Sequence, residues 1–164
     1  MRVALIGSAD FGKAALEAFL DRGDEIVAVF CPPDNPKSSK PEVLKEAALA
    51  RGLTPLQFAS LKSPEAAQAM IDSQADICVM AYVLQFVPQE LVKIPKHGTI
   101  QYHPSLLPKY RGPSAINWAI ALGEDKTGLT IFRPSDGLDE GEVILQKEVP
   151  IGPDDTLGKI YFDH

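Results

Sequence analysis

Apolar positions along the chain fall into short solid runs separated by longer amphipathic stretches. Arg2 to Gly7 is β-branched and aliphatic and stops at a glycine, which predicts a strand; Gly7-Ser-Ala-Asp-Phe-Gly12 then turns the chain into a helix through Leu20. Glu25 to Cys31 reads as the second strand, Glu42 to Arg51 as a helix, and Leu53 to Phe58 as a short strand. Ser63 to Ser73 predicts a helix, because Ser63-Pro64-Glu65 combines an N-cap, a first-turn proline and an acidic first turn. Asp76 to Ala81 is apolar at nearly every position, as in a strand covered on both faces of a parallel sheet. Thr99 to Tyr102 is a further strand, ended at His103-Pro104 because proline cannot continue the ladder. After Pro113, residues Ala115, Ile116, Ala119, Ile120 and Leu122 recur at helical spacing.

Strands alternating with helices predict an α/β fold: a Rossmann-like, mostly parallel sheet with right-handed crossovers and helices on both faces. The alternation ends at Leu122. Gly128 to Phe132 and Glu142 to Pro150 are two strands with no helix between them, so an antiparallel pair is expected at the end of the sheet.

With 164 residues and 45% hydrophobic content, a single domain with a proper core is expected. No apolar run reaches the ~20 residues of a membrane span. The opening Met1-Arg2-Val3-Ala4-Leu5-Ile6-Gly7 is too short an apolar run for a signal peptide, and a cytoplasmic location is expected. Cys31 and Cys78 lie in or at the end of apolar strands and read as small buried hydrophobes; neither has metal-ligand spacing, so no metal is expected. A net charge of −6 argues against a nucleic-acid partner, although Lys109 and Arg111 make a local basic patch. The polar segment Pro32 to Pro41 predicts a solvated, mobile loop. Gly7 and Gly12 are spaced G-x-x-x-x-G, without the dinucleotide fingerprint or the Lys-Ser/Thr of a phosphate loop, and read as a tight turn before a helix.

Two features carry chemistry. His103 stands at the carboxyl end of a strand, where open α/β sheets bind ligands, and is followed by a stiff basic loop, Ser105 to Gly112. An imidazole there is either a proton-transfer group or a structural hydrogen-bonding one. The second feature is the exit of the strand Asp76–Ala81, Ala81-Tyr-Val-Leu-Gln-Phe-Val-Pro88, which stays apolar where a surface loop is normally polar. It either tucks under a neighbouring helix or lines a pocket.

His-Pro-Ser-Leu-Leu-Pro-Lys-Tyr-Arg-Gly at 103–112, with Gly-Leu-Asp-Glu-Gly at 137–141, resembles the formyltransferase family that uses 10-formyltetrahydrofolate. The family includes glycinamide ribonucleotide formyltransferase, methionyl-tRNA formyltransferase and the hydrolase domain of 10-formyltetrahydrofolate dehydrogenase. Gly-Pro-Ser-Ala-Ile-Asn-Trp-Ala-Ile at 112–120 and Leu-Thr-Ile-Phe at 129–132 look closest to the last of these. The resemblance implies that residues 1–164 are a formyltransferase N-terminal domain, expected to be a piece of a longer protein. It implies formyl transfer to a small amine, or hydrolysis by water, with 10-formyltetrahydrofolate as donor and no metal. His103 would be the central imidazole, Asp139 its carboxylate partner and Gln101 a third catalytic group. In the transferases an asparagine stands at the Gln101 position, and glutamine extends that amide by one methylene. Leu84, Gln85 and Val87 would bind the pterin, with Ser105, Gly137 and Leu138 completing the folate-binding set. Arg111 and Ser114 would complete the site. The other readings are a methionyl-tRNA formyltransferase fragment and a folate-binding module without turnover.

Overall fold

The computed structural model describes residues 1–103, 122, 126–134 and 141–151. The chain divides into two compact units, Met1–Ile100 and Gln101–His164.

The first unit is the α/β part. Its elements are β1 (Arg2–Gly7), α1 (Ala9–Arg22), β2 (Glu25–Cys31), α2 (Val43–Ala50), β3 (Pro55–Gln57), α3 (Pro64–Ser73), β4 (Ile77–Ala81) and α4 (Gln89–Val92). The four strands pair in parallel in the order β3-β2-β1-β4. Alternation along β1 divides the core between the two faces of the sheet. Val3 and Leu5 pack with Leu16 of α1 and Leu44, Ala47 and Ala48 of α2. Ala4 and Ile6 pack on the other face with Ala66 and Met70 of α3 and Leu91 and Val92 of α4. Leu16 and Leu44 are fully buried, each burial contributing about 2 kcal/mol.

Helix boundaries follow local chemistry. Gly23, at φ 93°, ends α1 in the left-handed conformation that glycine adopts without strain. The Ser63 hydroxyl accepts from the Ala66 N–H at 3.3 Å and starts α3 where the sequence predicts it. Glu42, expected as the first residue of α2, is instead its N-cap and accepts from Leu44 and Lys45. The expected strand Leu53–Phe58 pairs only over Pro55–Gln57, and the four-residue α4 was not predicted.

β5 (Thr99–His103) begins in the first unit and ends in the second. In the second unit its last residues pair antiparallel with β6 (Lys126–Pro134), which pairs antiparallel with β7 (Gly141–Pro150). The antiparallel pair expected over 128–132 and 142–150 is therefore present and longer than predicted. The register slips between Ile131 and Phe132, leaving Ile144 as the extra residue of a bulge on β7. The predicted loop 105–112 and the helix after Pro113 lie outside the described residues, apart from Leu122, which is exposed.

Candidate functional site

In the second unit, strand register places two of the three candidate catalytic residues, Gln101 and His103. Gln101 and His103 are two residues apart on β5 and share one face of it. Gln101 lies opposite Phe132 and His103 opposite Thr130. His103 is 4% exposed, and Thr130 and Phe132 are fully buried. Thr130 is in turn opposite Gln146 on β7, whose amide nitrogen Nε2 donates to the Thr130 hydroxyl oxygen at 3.0 Å. Cross-strand partners face the same side, so His103, Thr130 and Gln146 form a row across three strands. A hydroxyl that accepts one hydrogen bond can still donate another. Thr130 lies in the Leu-Thr-Ile-Phe run that resembles the family, but nothing along the chain marks Thr130 or Gln146 as a neighbour of His103 until the register aligns them.

The first unit supplies the β4 exit loop. Tyr82 holds a left-handed φ of 58°, and the Ser8 hydroxyl donates to its carbonyl at 2.6 Å. Ser8 N–H also donates to the Ala81 carbonyl at 3.3 Å, so the β1 and β4 exits are tied together. The tie depends on Gly7, where a Cβ would lie 2.5 Å from the Ala81 oxygen. Gln85 Nε2 donates to the Phe58 carbonyl at 2.8 Å and anchors the loop at its middle. Val83 and Val87 pack against the core, but Leu84 (69% exposed) and Phe86 (66%) stand in solvent. This corrects the simpler expectation of a loop tucked wholly under a helix. Lys62 places its ammonium 4.9 Å from the centre of the Phe86 ring. An immobilised loop with exposed apolar side chains fits a flat, partly apolar ligand.

Asp139, Ser105, Gly137, Leu138, Arg111 and Ser114 lie outside the described residues. Among the described residues, no group of His, Cys, Asp or Glu is placed to hold a metal ion, and no helix is long and apolar enough to cross a membrane. Both thiols are buried, and burial pushes each up to about 12, helped at Cys31 by the Glu42 carboxylate, which favours the protonated thiol over the nucleophilic thiolate. The Pro32–Pro41 loop is exposed as expected but anchored, since Asp34 accepts from Lys45 Nζ at 2.8 Å and from Gln57 Nε2 at 3.1 Å. The Lys45 ammonium and the Gln57 amide hold the Asp34 carboxyl below its usual range.

The parallel α/β unit and the antiparallel strands that follow it define an α/β protein with a buried histidine at a strand's carboxyl end. The chain belongs to the formyl transferase family, which matches residues 1–163. It is 39% identical over 166 residues to cytosolic 10-formyltetrahydrofolate dehydrogenase of Xenopus tropicalis, covering 98% of this chain and 18% of that protein. It is 38% identical over 165 residues to methionyl-tRNA formyltransferase of Alkaliphilus oremlandii, covering 98% of this chain and 53% of that protein. Phosphoribosylglycinamide formyltransferase from Bacillus halodurans superimposes with a TM-score of 0.82 at 26% identity, covering 99% of this chain and 86% of that one. The chain thus spans about a fifth of the dehydrogenase and about half of the tRNA enzyme.

Proposed function

We propose that this domain removes the formyl group from 10-formyltetrahydrofolate and delivers it to water or to a small amine. The observation that carries the reading is His103, buried at the carboxyl end of β5 and backed by the hydrogen-bonded pair Thr130 and Gln146. Family membership supports the donor, since dehydrogenases of the family are named for 10-formyltetrahydrofolate.

In this reading the nucleophile bonds to the formyl carbon while the carbon's bond to the folate nitrogen breaks. His103 takes the proton released by the nucleophile and returns it to the departing nitrogen, so the imidazole ends the cycle unchanged. Gln101, on the same face of β5, donates its side-chain N–H to the formyl oxygen as negative charge develops there, a contribution of about 3 kcal/mol for a well-placed donor. Asp139 orients the imidazole. Leu84 and the main chain at Gln85 and Val87 hold the pterin, with Ser105, Gly137 and Leu138 completing the folate contacts. A reading as a folate-binding module without turnover is the alternative, favoured by the longer reach of Gln101.

Tetrahydrofolate release, followed by absorbance with and without added amines, separates these. Release without an amine, lost in His103→Ala, supports the hydrolase. Release that needs an amine supports a transferase. Folate binding with no release under either condition would overturn the catalytic reading.

A further inference from the structure

Glu42 bridges two helices, one of which begins at Ala9, 33 positions before it in the chain. Its Oε1 accepts from the Ala9 N–H at 2.6 Å, while Oε2 accepts from the Leu44 and Lys45 N–H groups at 2.6 and 3.1 Å. Ala9 is the first residue of α1, and Leu44 and Lys45 lie in the first turn of α2. A single carboxylate is therefore seated on the positive ends of two helix dipoles. Ser8, the N-cap of α1, makes no side-chain bond to its own helix because its hydroxyl goes to Tyr82. Ala9 is held at a left-handed φ of 57°, which a residue with a Cβ adopts only where its surroundings fix it. The bridge needs α1 and α2 to lie close together, and they do so at Gly12, where a Cβ would come 3.2 Å from Leu44 Cδ2.

A strand, turn and helix of this kind offers backbone N–H groups and a helix dipole to an anion, which is how phosphate is taken in nucleotide-binding sheets. Here the protein supplies the anion itself. We propose that Glu42 is a specificity-determining residue whose carboxylate fills the anion position at the start of α1 and closes the β1–α1 turn to phosphate-bearing ligands. Being tethered, Glu42 competes at an effective concentration in the millimolar range or above, and its charge repels an incoming phosphate. Asp10, in the first turn of α1, adds charge of the same sign. Lys45, in the first turn of α2, is paired with Asp34 at 2.8 Å. As a statement about the acceptor, the inference rests on the formyl-transfer reading: the turn admits an amine that lacks a phosphate. As a statement about binding it does not.

The test is a titration with inorganic phosphate at constant ionic strength and without folate, watched at the Ala9 backbone amide by NMR, in the parent, Glu42→Ser and Glu42→Gln. Glu42→Ser keeps a hydroxyl cap on α2 and Glu42→Gln keeps an acceptor oxygen, and amide dispersion reports folding in each. The parent Ala9 amide is expected to stay still, while at least one folded variant shows a saturable shift at least about tenfold tighter than any parent response. A parent amide that titrates as tightly as the variants would overturn the proposal, because phosphate would then bind with Glu42 in place. Folded variants that remain silent would overturn it as well, because the turn would then be no anion site. Neither result depends on turnover, so loss of the formyl-transfer reading and loss of this inference are separate outcomes.

Discussion

His103 and Thr130 stand directly opposite each other on the antiparallel β5–β6 ladder, and both are buried. Thr130 also accepts from Gln146 on the next strand. Thr130→Val keeps the shape and removes the hydroxyl. It is expected to lower kcat for formyl release at least severalfold with little change in KM, and to destabilise the domain by about 1 kcal/mol. Steady-state kinetics and urea unfolding check both. An unchanged kcat would mean that Thr130 only supports the strand.

The Gly7 position leaves no room for a methyl group, given the 2.5 Å separation between a built Cβ and the Ala81 carbonyl oxygen. Gly7→Ala must therefore push β1 away from the exit of β4. The expected destabilisation is about 1–3 kcal/mol, read as a lower urea midpoint with an unchanged slope.

Ser8→Ala removes the 2.6 Å bond that holds the Tyr82 carbonyl in its left-handed turn. A stability loss of about 1 kcal/mol is expected, together with weaker tetrahydrofolate binding by calorimetry. Ser8→Thr, which keeps the hydroxyl, should restore most of both. Unaltered folate binding in Ser8→Ala would separate this loop from the ligand.

Asp76 accepts the Arg2 backbone N–H at 2.9 Å, and that bond holds its carboxyl below the ordinary value of 3.8. A carboxylate depressed in the folded state adds stability above its unfolded value and loses it as pH falls through the folded one. Asp76→Asn should therefore flatten the acid limb of the stability profile. The difference in urea midpoint between parent and variant is expected to shrink as pH drops from neutral to below 3.8. A difference that stays constant with pH would contradict the ionic role.

Much of the fold was legible because it is local. β2 forms over Glu25–Cys31 as predicted, and α3 starts after the Ser63 cap that the motif announces. Local signals failed where pairing or length decides. β6 extends over Lys126–Pro134, past the apolar run that marks it, because the ladder with β7 continues through polar residues. α4 is four residues long, too short for a helical period to appear. The candidate-site residues divide in the same way. His103 is marked as a candidate by its place before Pro104, and the β4 exit by its unusual apolarity. Thr130, Gln146 and Glu42 meet their partners through register or helix packing, which spacing along the chain does not encode.

The most direct test of the central claim is the rate of tetrahydrofolate release from 10-formyltetrahydrofolate by the parent and by His103→Ala, each with its folate affinity measured in parallel. A proton-transfer role for His103 predicts a fall in kcat of at least about 100-fold with folate affinity retained. A variant that releases tetrahydrofolate at the parent rate would contradict it and leave His103 as a buried structural residue of β5.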